Sequence, residues 1–253
     1  MLDQDELMAV ADSFGVAEDQ VRRDHLISHV LAHLAETTPD VLFVGGTALA
    51  RTHLADPADG GRLSEDIDLW TAGRLAVATT LDARLPRLLR REFPGTSWDP
   101  SLLVTRSVVE PGVLVTGTGL MVRMQLLDHE DWARWPYEVA KIEMRYSDLP
   151  SEVELRVPTL CAFAAMKTLA WSDRHAARDL YDLARLARLG ALTEDAADLV
   201  HDATGVSVQR YEFTSLPTSL NWQSQLSHQT RDLPDPQWCL DVVRDSYAAV
   251  LGW

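Results

Sequence analysis

The chain has 253 residues, 46% hydrophobic and 24% charged, enough apolar content for one large core or two small ones. Its formal net charge of −15 at first argues against a nucleic-acid partner. No apolar run reaches the ~20 residues that span a bilayer, and the acidic start "MLDQDELMAV" does not read as a signal peptide, so a cytoplasmic location is expected.

The charge is uneven. Residues 1–40 carry a net −7 and residues 191–253 a net −6, which leaves −2 for the whole stretch 41–190. The central surface is therefore expected to be near neutral or locally basic. Of 23 bases, 21 are arginine; the two lysines, Lys141 and Lys167, both fall on segments that also hold candidate site residues. Cys161 and Cys239 lie far apart, outside any metal-ligand spacing, and read as ordinary buried thiols.

In chain order, residues 4–13 and 17–36 read as helices. Leu26, Ile27, Val30, Leu31 and Leu34 form an apolar stripe at helical spacing. His25, His29 and His33 recur every four residues on another face; a metal site is the alternative there, but a solvated stripe is expected because no carboxylate or cysteine completes a ligand set. "VLFV" (41–44) is a short buried strand, Gly45-Gly46 a turn, and Thr47 an N-cap for a short helix. "DIDLW" (66–70) is a strand, and "LDARLPRLLRREF" a helix with Pro86 near its start or at a break. Residues 112–128 form two strands around a Gly-Thr-Gly turn, 137–146 an alternating strand, and "EVELRV" a shorter one. Pro158 opens a helix, "DRHAARDLYDLARLARLG" forms another, and the remainder holds helices near 193–203 and 237–250 around a Pro- and Ser-rich stretch, 213–236. This order predicts an α/β mixed sheet with flanking helices, divided into a core (1–150) and a mainly helical part (151–253) that completes the site.

Asp66 and Asp68 share one strand face while Ile67 and Leu69 face the core. Two like charges so placed suit divalent cations, Mg²⁺ above all, together with substrate phosphates. The amides of Gly45 and Gly46, with Thr47, provide an anion cradle one helix earlier. A third carboxylate is expected at Glu143 if its strand neighbours 66–70; Gln125 and Asp128 are competing positions. A nucleotide–Mg²⁺ site is the combined reading. Ser64, two residues before Asp66, either pins the loop or, if phosphorylated, competes with the triphosphate for metal and glycine amides.

The blocks "GGTALAR…GRLSEDIDLW" and "MKTLAWSDRHAARDLYDLARL" resemble the AbiEii-type (MenT-like) nucleotidyltransferase toxins. The resemblance implies a DNA-polymerase-β-like nucleotidyltransferase fold, Mg²⁺ dependence and transfer of an NMP from an NTP. It implies that Gly46 and Thr47 meet phosphates, that Asp66 and Asp68 hold metal, that Lys167 contacts either the triphosphate or the site carboxylates, and that Asp179 is a further site acid. Lys167 and Asp179, 12 residues apart, would point about 120° apart on one unbroken helix, so a break between two helices is expected, with Asp179 near a helix N-terminus.

Family relatives modify RNA, at tRNA 3′ ends in the MenT proteins. That makes tRNA the leading acceptor and implies a cognate antitoxin. Arg84 and Arg87 on one helix, and Arg174 and Arg178 on another, are candidate backbone contacts. A small-molecule or protein hydroxyl as acceptor, and a non-catalytic binding module on the same fold, are the competing readings.

Overall fold

The fold was obtained as a computed structural model in which residues 2–105, 110–128 and 132–253 are described. One seven-stranded mixed sheet organises it, in the order β3-β4-β5-β2-β1-β7-β6. The strands are β1 (Leu42–Val44), β2 (Asp66–Thr71), β3 (Ser97–Trp98), β4 (Gly112–Val115), β5 (Met121–Asp128), β6 (Tyr137–Lys141) and β7 (Glu154–Pro158). Among the described residues the helices are α1 (Gln4–Phe14), α2 (Glu18–Thr37), α3 (Gly45–Ala50), α4 (Arg74–Leu89), α5 (Leu160–Arg174), α6 (Ala177–Arg188), α7 (Glu194–Thr204), α8 (Ser219–Leu226) and α9 (Pro236–Leu251).

β2 lies at the centre, antiparallel to β1 and parallel to β5. Its burial alternates: Ile67 and Leu69 are fully buried, whereas Asp66, Asp68 and Trp70 share the half-buried face. The register sets Val44 beside Asp68 on one flank, and Arg123 beside Asp66 and Gln125 beside Asp68 on the other. The helical part begins at Leu160, after β7, because β7 is an interior strand between β1 and β6. The 150/151 boundary thus falls between two paired strands of one sheet.

Several expectations are corrected. The strand expected over 137–146 ends at Lys141: the Glu143 N–H turns to the Arg51 carbonyl at 2.9 Å, and Arg145 takes a positive φ of 62°. β6 is also the sheet's far edge, separated from β2 by β1 and β7. Helix α4 starts at Arg74, so Pro86 lies in its last turn, not at its start. The Pro- and Ser-rich stretch contains α8, whose Trp222 is 2% exposed.

The histidine stripe of α2 is not solvated. His25 and His29 are buried against Phe93, and Tyr146 packs edge-on to His25. Burial lowers both imidazoles, His29 to about 4. The sequence of the helix alone concealed this, since the covering groups come from residues 93 and 146–148.

Candidate active site

The glycine pair is required by its neighbours. Gly45 opens α3 with φ +81°, and a Cβ there would lie 2.3 Å from Asp68 Oδ2; a Cβ on Gly46 would lie 2.4 Å from an Arg62 guanidinium nitrogen. Thr47 is not the N-cap, a place taken by Val44. It sits inside α3, buried, and its hydroxyl donates to the Asp66 carbonyl, tying the glycine turn to the start of β2. Ser64 is 7% exposed, with Oγ against Gly46. That position fits pinning the loop and removes the access that phosphorylation needs.

Opposite Asp66 and Asp68 stands the junction of α5 and α6. His175 in the left-handed region ends α5, and Asp179 occupies the first turn of α6, as the 120° argument requires. The break lets Lys167 reach Asp179 Oδ1 at 3.1 Å and Asp182 Oδ2 at 2.7 Å. Arg174 grips Asp179 with Nε at 2.7 Å and a second nitrogen at 3.0 Å. Arg62 forms the matching two-bond fork on Asp182, both at 2.9 Å, and donates to Gln229 Oε1 at 2.5 Å. Arg178 reaches back to Asp66 Oδ2 at 3.6 Å.

The electrostatics follow from this alternation of charge. Burial would raise Asp182, but the Arg62 and Lys167 charges bring it down to about 2. Asp179 is likewise held low against its burial by Lys167 and Arg174, and Lys167 is held protonated against its own burial by the two aspartates. Asp68 goes the other way. Burial first, then the Asp66 charge, push it up to about 6, while Lys167, Arg174 and Arg178 pull against the rise.

The site therefore unites Gly45, Gly46, Thr47, Ser64, Asp66, Asp68, Lys167, Arg174, Arg178 and Asp179. It leaves out Glu143, whose carbonyl accepts from Arg51 at 2.7 Å and whose side chain lines a different hollow beside α1. Lys141 is exposed on edge strand β6. Arg84 and Arg87 are exposed on α4, away from these contacts. Of the competing positions, Gln125 is the residue paired with Asp68, whereas Asp128 pairs with Thr71 at the other end of β2.

Sequence reasoning missed Arg62, Asp182, Arg123 and Gln229. The first two lie inside the quoted blocks, and Asp182 follows Asp179 by three residues, hence on the same helix face. Gln229 had no local signal. Beside Asp66 opens a cleft of about 720 Å³ lined also by Glu110, Arg123, Gln125 and Arg178.

Three comparisons bear on this arrangement. Among curated proteins no sequence matches the chain. Among solved structures, MenT4, a nucleotidyltransferase toxin from Mycobacterium tuberculosis H37Rv, superposes with a TM-score of 0.64 at 20% identity, covering 96% of this chain and 88% of that one. The antibiotic-resistance factor ANT(2'')-Ia matches at a TM-score of 0.45 and 14% identity, covering 74% of this chain and 93% of the other. An antigenic nucleotidyltransferase-like protein from Paracoccidioides brasiliensis matches at 0.40 and 14%, covering 73% and 88%. Those two are too distant to add to the argument; MenT4 carries the nucleotidyltransferase fold. The family model for the nucleotidyltransferase AbiEii toxin of type IV toxin–antitoxin systems matches residues 29–244, nearly the whole chain. The chain belongs to the AbiEii family of nucleotidyltransferase toxins.

Proposed function

We propose that the protein transfers an NMP from an NTP to an RNA acceptor, the tRNA 3′ end, in a Mg²⁺-dependent reaction in the cytoplasm, and that a cognate antitoxin restrains it. The observation that carries this reading is the Asp66–Asp68 pair on a half-buried strand face, with Gly45 cut back to make room for Asp68 and three cations opposite. The donor set fits a hard divalent cation: two carboxylates side by side, one of them raised to about 6 by burial and by the charge of the other. Asp66 and Asp68 would hold Mg²⁺, which when bound would neutralise phosphate charge and polarise the transferred phosphoryl group.

The protein's own residues set the rest of the reaction. The Gly45-Gly46 turn takes the triphosphate on its backbone amides, and its missing side chains leave room for Asp68 and Arg62 beside it. Arg178 and Arg174 face the side from which the anionic substrate arrives. Arg62, which shares Asp182 with Lys167, stands against Gly46 and backs the glycine turn. Arg123 and Arg178 in the cleft beside Asp66 meet the acceptor's phosphates. Among the described residues no third carboxylate occupies the β5 register next to the pair, so the acceptor hydroxyl loses its proton to solvent or to Glu110, which lines the same cleft.

The test is incubation of the purified protein with total RNA, Mg²⁺ and each labelled NTP in turn. Label on tRNA-sized RNA with one or two of the NTPs is the expected result. Label that appears on protein or on a small molecule instead would move the acceptor to the competing class; no transfer from any NTP with Mg²⁺ would refute the reading.

A further inference from the structure

Outside the active site, one side-chain cluster is built like a metal centre. His25 and His29 stand one turn apart on α2, so their rings project to the same side. Asp148, from the loop after β6, meets them there. His25 Nε2 lies 3.1 Å from both Asp148 carboxylate oxygens and 3.2 Å from His29 Nε2; His29 Nε2 lies 3.5 Å from Asp148 Oδ2. The three potential donor atoms thus form a nearly equilateral triangle.

Hydrogen bonding serves such a triangle poorly. A neutral imidazole carries either a proton or a lone pair at Nε2. An N–H can point at the carboxylate or at the other ring, but not at both. At least one edge then sets two donors or two lone pairs face to face, in a place where both rings are buried. A cation above the triangle accepts lone pairs from all three corners. Zinc bonded at 2.0–2.1 Å in tetrahedral geometry sets its ligand atoms roughly 3.3–3.4 Å apart, and the observed edges bracket that value.

We propose that His25, His29 and Asp148 bind a divalent transition-metal ion, Zn²⁺ by ligand type, at a site separate from the Mg²⁺ pair. Two imidazoles and one carboxylate favour Zn²⁺ over Mg²⁺, whereas the Asp66–Asp68 pair offers only hard oxygen. Water completes the tetrahedral set at the fourth position. The surroundings hold the ligands in place. Phe93 packs at 5.5 Å from the His25 ring and 5.3 Å from the His29 ring, and Tyr146, itself hydrogen-bonded to Asp24 at 2.8 Å, packs on His25 at 4.8 Å. The ion ties α2 to the loop carrying Arg145 and Tyr146. Both of these meet Asp24, and Asp24 accepts from Arg51 at the end of α3. It is therefore a structural clamp behind the glycine turn.

The experiment titrates chelator-treated full-length protein with Co²⁺ alone and Zn²⁺ alone. One equivalent of Co²⁺ should bind with the visible absorption of a four-coordinate site, be displaced by Zn²⁺, and resist Mg²⁺. Zn²⁺ should raise the melting temperature. His29→Ala and Asp148→Ala should each weaken binding at least tenfold, while the double variant Asp66→Asn/Asp68→Asn keeps it. Circular dichroism of the metal-free variants checks folding, and Asp148→Ala, on a loop, decides if His29→Ala does not fold. No four-coordinate Co²⁺ spectrum, wild-type affinity in Asp148→Ala, or loss of binding in the Asp66/Asp68 double variant would each overturn the proposal.

Discussion

Asp68 titrates near 6 in the folded chain against an ordinary 3.8, because it is buried beside Asp66. Between those values the folded state keeps a proton that the unfolded state has released, so stability of the metal-free protein falls as pH rises from about 4 to about 6. Asp68→Asn removes that pH dependence. The metal-free variant should match the parent near pH 4 and exceed it by about 1–2 kcal/mol at pH 7, as read by urea unfolding. Transfer should drop by more than about a hundredfold, since a direct ligand outweighs its outer-shell supports. A variant destabilised at pH 7 would instead mark Asp68 as a structural acid. Lys167 poses the opposite case. The resemblance left it on either the triphosphate or the site carboxylates, and the structure seats it between Asp179 and Asp182. Lys167→Met strands two buried carboxylates on their remaining arginine partners and should cost about 3 kcal/mol or more. Unchanged stability with a raised KM for NTP would return Lys167 to the phosphates.

At the scale of elements, the two-residue meeting of β1 and α3 governs the site. Gly45→Ala would force both an alanine at φ +81° and a Cβ into Asp68 Oδ2. The backbone penalty alone is roughly 1–2 kcal/mol, and displacement of Asp68 adds a loss of activity that stability does not explain. The expected signature is a modest drop in melting temperature with transfer reduced at least tenfold; full activity would show that the turn tolerates a side chain and that the close approach is not needed. Legibility followed the local signals. The DxD face, the glycine turn and the α5–α6 break were readable, because periods of 2 and 3.6 residues fix which side chains point together. Glu143 misled because alternation places a residue on a face without naming the neighbouring strand. Only the crossover β1–β7–β6 shows that Glu143 lies away from Asp66. His25 and His29 misled for a related reason: their partners Phe93, Tyr146 and Asp148 are distant in sequence.

Over the whole molecule, the charge distribution read from the sequence constrains how an acceptor can bind. The two acidic ends repel a polyanion, and the described cations near Asp66 are few: Arg123 and Arg178 in the cleft, with Arg174 already engaged by Asp179. Gln229, from the acidic C-terminal part, contributes structurally by holding Arg62, a role that no composition could reveal. An RNA acceptor must then be held through few phosphates. Each contact on a single strand contributes about −0.7 to the slope of log affinity against log salt, so two contacts predict roughly −1.4. Anisotropy of labelled tRNA titrated with the protein at several NaCl concentrations measures it. Arg178→Ala should reduce the magnitude of that slope by about 0.7 and weaken binding at low salt, while Arg84→Ala, on the exposed side of α4, should leave the slope unchanged. A slope steeper than about −4 would demand an extended cationic track and bring the α4 arginines back into the interface. A slope near zero would remove the phosphate backbone from recognition and favour a small acceptor hydroxyl in the 720 Å³ cleft.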